Sequence, residues 1–129
     1  MTDPLSAKEL VEKTYLYVDR VAKECKKTLL TKITTEKKAL RKNELSSFVG
    51  SEIEKWFAQR DKSLNIKWDR SSFVLDPKNR FHLVFRGANK DAKFELSCDG
   101  EVFADPFNPE RVFIKSLDLK AERTKFQRA

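Results

Sequence analysis

The sequence predicts an α+β fold: two N-terminal helices, an antiparallel β-meander of about four strands and a C-terminal helix. Three observations carry this. Apolar residues recur at helical spacing up to about Asp61, they alternate from Ser63 to Ala104, and a helix-start signal follows at Asn108. With 129 residues the chain fits one domain, 1–129. Its helical part is expected over about 6–61, its sheet over about 64–104 and its closing helix over about 109–127.

The first helix is announced by a capping box, Ser6 with Glu9, inside a hydrophobic staple of Leu5 and Leu10. From Ala7, the residues Val11, Tyr15, Val18, Ala22, Cys25 and Leu29 recur at spacings of four and three, with Leu10 and Val21 widening the stripe. This predicts an amphipathic helix of about 22 residues. Between Thr28 and Asn43 β-branched residues give way to a basic run, which predicts a loop or short irregular hairpin. A second helix carries Leu45, Phe48, Val49, Ile53, Trp56 and Phe57 on one stripe and ends before Ser63. Gly50 is expected to kink or split it, since Ser51 and Glu54 read as a further capping box.

Short strands near Ile66–Trp68 and Ser72–Leu75 lead through the turn Asp76-Pro77-Lys78-Asn79 to Arg80–Arg86, where Phe81, Leu83 and Phe85 alternate with His82 and Val84. A loop over Gly87–Asp91 returns the chain into Ala92–Cys98. Asp99-Gly100 then has the composition of a tight hairpin turn into Glu101–Ala104. Asn108-Pro109-Glu110 supplies a cap, a first-turn proline and a first-turn acid for the closing helix, with Phe113, Leu117, Ala121 and Thr124 as its stripe.

The chemistry available is narrow. His82 is the only histidine, placed by alternation on the more exposed sheet face, which argues against a catalytic triad or a histidine-rich metal site. Cys25 and Cys98 fall on apolar stripes and read as reduced core residues, without metal-ligand spacing. Three scattered glycines cannot form a phosphate-cradling loop. Asp76 with Asp91-Ala92-Lys93 superficially matches a metal-dependent nuclease pattern, but the meander sets them at opposite ends of a hairpin, roughly 20 Å apart. No cofactor, metal or catalytic residue is expected, so the sequence points to a binding protein rather than an enzyme. Met1–Lys8 carries neither a basic leader nor an apolar run, and no apolar stretch is long enough for a membrane span. The cytoplasm or another reducing compartment is the expected location.

Charge bears most directly on partners. The net charge is +7, and Lys26, Lys27, Lys32, Lys37, Lys38, Arg41 and Lys42 face the single acid Glu36 in their segment, so an excess of six sits between the first two helices. Lys120, Arg123, Lys125 and Arg128 form a smaller cluster beside Phe126. Lysines on flexible stems suit phosphate contacts, so these eleven residues are the candidate nucleic-acid-binding set, in an accessory protein that contacts nucleic acid or a nucleoprotein machine. Trp68 and Phe103 are candidate stacking platforms, while Phe81, Phe85 and Phe94 are expected to face the core. The alternative is a protein-interaction module or homodimeric regulator, using Val11, Tyr15, Val18 and Ala22 as a heptad-like interface. The order helix, three strands, helix from Leu45 to Arg128 resembles a double-stranded-RNA-binding domain in element order. That family's lysine cluster at the last helix is replaced here by Pro109-Glu110-Arg111-Val112-Phe113, and the chain is not assigned to it.

Overall fold

The computed structural model describes residues 7–122. Helix α1 spans Ala7–Glu36 and is followed by the short strand β1, Leu40–Arg41, and a 3-10 turn at Lys42–Glu44. Helix α2 spans Leu45–Arg60, with a second 3-10 turn at Lys62–Leu64. Four longer strands follow: β2 (Lys67–Leu75), β3 (Arg80–Ala88), β4 (Lys93–Asp105) and β5 (Asn108–Glu122). They join in one curled sheet of order β1-β5-β4-β3-β2, antiparallel throughout.

The helix of α1 is 30 residues long, so it absorbs most of the segment expected to be a loop. Its apolar stripe continues beyond Leu29, with Leu30 and Ile33 packed against the core. Threonines do not break it, because the hydroxyls of Thr28, Thr31 and Thr35 donate to the carbonyls of Glu24, Lys27 and Thr31, one turn back, at 3.0, 2.9 and 2.7 Å. It stops at Lys37, whose left-handed backbone (φ 46°) lets its N–H close on the Ile33 carbonyl at 3.0 Å. The capping residues Leu5 and Ser6 lie outside the described residues.

Helix α2 buries Leu45, Val49, Ile53 and Phe57, as its stripe requires, and it is unbroken at Gly50. The glycine serves packing: a Cβ there would lie 2.4 Å from Cδ2 of Trp68. Glu54 is not part of a cap either, since its carboxylate accepts the main-chain N–H of Trp68 on β2.

The expected turn at Asp76-Pro77-Lys78-Asn79 joins β2 to β3, with the Asp76 carboxylate accepting from the N–H groups of Lys78 and Arg80 at 2.9 Å. Beyond β3 the structure departs from expectation. Asp99-Gly100 is no turn, and β4 runs straight through it. Gly100 lies under the Phe81 ring, where a Cβ would approach Cζ to 2.3 Å and the Ser116 carbonyl to 2.5 Å. The reversal falls later, at Pro106-Phe107, between the paired residues Asp105 and Asn108.

The C-terminal helix is the principal correction: the segment is strand β5, and no helix follows β4 among the described residues. The misleading stripe has a physical origin. Lys115 is an extra residue between the pairs Val102–Ile114 and Glu101–Ser116, a bulge that reverses which residues face inward. Val112 and Ile114 before it, and Leu117, Leu119 and Ala121 after it, are all buried, so alternation is interrupted once and imitates helical spacing. Pro109 sits near the start of β5, a place where a strand tolerates a missing N–H. The element order of the double-stranded-RNA-binding domain is lost with this helix.

One core joins the layers. Val18, Val21, Ala22 and Cys25 of α1 and the stripe of α2 meet Phe81, Leu83, Phe85, Phe94, Leu96 and Cys98. Helix α1 lies along β5 and α2 along β2, at the two sides of the sheet. Asp19 accepts from the Ala121 N–H at 3.3 Å, as Glu54 does from that of Trp68. No helix among the described residues is long and apolar enough to cross a membrane.

A candidate nucleic-acid interface

Of the seven cations, Lys32 joins Lys26 and Lys27 on the C-terminal half of α1 instead of lying on a loop, Lys37 and Lys38 follow the helix end, Arg41 lies on β1 and Lys42 opens the 3-10 turn. Three of them have acidic neighbours. Lys26 meets Asp118 at 3.0 Å, Lys32 meets Glu52 at 3.0 Å, and Arg41 stands 3.8 Å from Glu44. The hydrogen bond and charge of Glu52 hold the Lys32 ammonium above the ordinary lysine range. Lys27, Lys37, Lys38 and Lys42 are exposed and, among the described residues, have no ion-pair partner. Lys38 lies over the Phe48 ring, 5.3 Å from its centroid.

The sheet adds residues that the sequence did not connect with this segment. β1 pairs with β5 so that Arg41 is opposite Arg111, while Leu40 and Val112, one step away, turn into the core. Arg111 also reaches the Ala39 carbonyl at 3.5 Å. Two residues along β5, on the same face as Arg111, comes Phe113, paired with Phe103 of β4. Their rings stack at 5.3 Å between centroids, inclined by 29°. The sheet is narrow here, because β3 ends its pairing at Arg80–Glu101 and β4 and β5 run on as an arm. Phe103 is 47% exposed on the arm and Phe107, at its tip, is 95% exposed. Lys115 of the bulge stands 3.8 Å from Glu101. Arg111 and Phe113 were missed because the segment read as a helix with Phe113 on its apolar stripe, and the consecutive Val112, Phe113 and Ile114 show no polar–apolar alternation to mark a strand.

Other candidates fall elsewhere. Trp68 is half-buried against Gly50, and its indole Nε1 is buried without a partner among the described residues, so it offers no open stacking face. Lys120 is exposed on β5, nine residues from Arg111. At strand rise that is about 30 Å away, so it does not join the Arg41–Arg111 corner. Arg123, Lys125 and Arg128 lie outside the described residues, as do Thr124 and Phe126. Of the alternative interface, Val18 and Ala22 are fully buried in the chain's own core, and Val11 and Tyr15 are half-buried. Burial, followed by the charges of Glu122 and Asp19, raises the Tyr15 hydroxyl above its usual range.

The remaining titratable groups form no catalytic constellation among the described residues. His82 Nδ1 and Asp99 Oδ1 are 2.7 Å apart on the outer sheet face, with Asp118 in register beside Asp99. Asp76 and Asp91 stand beyond opposite ends of β3, about 30 Å apart at strand rise. Burial pushes the Cys25 thiol up to about 12, and burial followed by the Asp99 charge pushes the Cys98 thiol well above its ordinary value, so both stay protonated and unreactive. Comparisons with protein-family models, curated proteins and solved structures return no match for this chain.

Proposed function

We propose that this is a non-enzymatic accessory protein that binds nucleic acid through the basic end of α1 and the strand that follows it. The observation carrying the proposal is the run of exposed cations without ion-pair partners among the described residues, Lys37, Lys38 and Lys42, around the Arg41–Arg111 pair, with Lys27 about 15 Å back along α1. Like charges directly opposite on neighbouring strands repel, and a phosphate placed between two guanidinium groups relieves that repulsion. The lysines on either side provide mobile point charges for neighbouring phosphates, which gives affinity without base readout.

Binding of a fluorescein-labelled oligonucleotide, followed by anisotropy across a salt series, tests the proposal. Affinity is expected to fall steeply with salt. Replacing Lys37, Lys38, Arg41 and Lys42 together by glutamine is expected to weaken binding at least about tenfold and to flatten the salt slope by about 0.7–0.9 for each phosphate that is no longer neutralised. Affinity that is indifferent to salt, or that survives the fourfold replacement, overturns the assignment.

A further inference from the structure

We infer that the nucleic acid bound at this corner is single-stranded, with its bases stacked on the Phe103–Phe113 face of the β4–β5 arm and its phosphates held by Arg41, Arg111 and the adjacent lysines. The inference rests on the nucleic-acid reading above and adds the class of ligand. Its basis is a juxtaposition that the fold creates from two distant pieces of sequence, the segment at Arg41 and the β4–β5 hairpin. Arg41, Arg111, Phe113 and Phe103 share one sheet face through the pairings of β1 with β5 and of β5 with β4.

Sheet geometry sets the spacing. Phe113 follows Arg111 by two residues, about 7 Å along the strand, a distance that one nucleotide covers between its phosphate and its base. The phenyl rings lie stacked on the outside of the sheet rather than in the core, and Phe103 keeps 47% of its surface in contact with solvent. A ring that is half exposed, carries no hydrogen-bonding group and stands beside cations is suited to base stacking, which tolerates any sequence. In a duplex the base faces are already covered by their neighbours, so the aromatic face adds nothing to duplex affinity. Beyond Glu101 no strand among the described residues flanks β4 on its β3 side, and after the Val102 N–H bond to the Asn79 carbonyl the arm carries Phe103 with no strand beside it.

The test compares an oligothymidylate of about 12 nucleotides, within the usual site sizes of such surfaces, with a hairpin duplex of equal phosphate number at the same salt. The single strand is expected to bind more tightly by at least about fivefold, the effect of one stacked base. Phe103→Ala is expected to remove that preference while leaving duplex affinity within about twofold. Phe103→Tyr, which keeps the ring, is expected to retain it and guards against a folding artefact, with circular dichroism checking both variants. Duplex binding equal to or tighter than single-strand binding overturns the inference and leaves the nucleic-acid reading standing. So does single-strand affinity unchanged in Phe103→Ala, an outcome that would hand the aromatic arm to a protein partner. Failure of both probes to bind at low salt overturns the nucleic-acid reading and this inference with it.

Discussion

Two glycines show how tightly single positions are specified. Gly100 and Gly50 each have a negative φ, so neither is required for an unusual backbone; both are required for space. At Gly100 the obstructing atoms include a main-chain carbonyl, which cannot swing aside as the end of a side chain can. Gly100→Ala is therefore expected to cost about 1–3 kcal/mol through overpacking, measured as a lower midpoint in urea unfolding. Trp68 illustrates a different cost, since its indole N–H is buried without a partner, a defect of about 1–3 kcal/mol in a comparable site. The sequence alone placed Phe81, Phe85 and Phe94 in the core, because simple alternation covers all three. It could not place Trp68, whose surroundings depend on the absence of a side chain at Gly50.

Among the elements, α1 is the clearest case of continuation against local propensity. The stretch after Thr28 is rich in β-branched residues, which lose rotamer freedom in a helix, and so it reads as a break. Tertiary packing of Leu30 and Ile33 against the core favours the helix instead. Thr31→Pro separates the two readings: inside a helix it is expected to cost about 3 kcal/mol or more, whereas in a loop its effect is small. Thermal melts of the variant measure the difference. Strand β5 was illegible for another reason, because one inserted residue at Lys115 shifts the inward set and no local signal marks a bulge. Helix α2 and strand β3 were legible because their apolar periods run uninterrupted, whereas β2 read as two short pieces across its irregularity after Asp69 and β4 read as broken at Asp99-Gly100. The basic half of the candidate site was legible as composition. Its aromatic half was not, because Phe103 and Phe113 meet only once the β4–β5 register is known.

At the scale of the whole molecule, carboxylates tie the layers together and link stability to acid. Asp61 receives the hydroxyls of Ser63 at 2.6 Å and Tyr17 at 2.7 Å, connecting the end of α2 to α1. Those bonds, with the Ser63 hydroxyl the largest contribution, hold its carboxyl below the usual range. Asp76 is lowered chiefly by the Arg80 main-chain N–H, and Asp69 by the Ser71 hydroxyl. A folded carboxyl depressed below its unfolded value stabilises the fold at pH above the ordinary carboxylate range. That stabilisation is lost as pH falls through the folded values. Stability is therefore expected to be flat near neutrality and to decline on acidification. Asp61→Asn should reduce the slope of that decline, as read from urea unfolding at a series of acidic pH values.

The sheet's two sides present a separate issue of company. An unpaired strand edge invites another chain to add a strand, and copies of a protein joined in that way grow into insoluble ribbons. Here α1 shields β5 and α2 shields β2, and each contributes a carboxylate, Asp19 or Glu54, that occupies a main-chain N–H a foreign strand would need. Each edge thus loses one main-chain donor to a carboxylate, and an incoming strand would meet a negative charge at that point. Beyond Glu101 β4 also lacks a strand on its β3 side, where the Val102 N–H is taken by the Asn79 carbonyl at 2.8 Å, so the arm adds only a short further edge to those of β2 and β5.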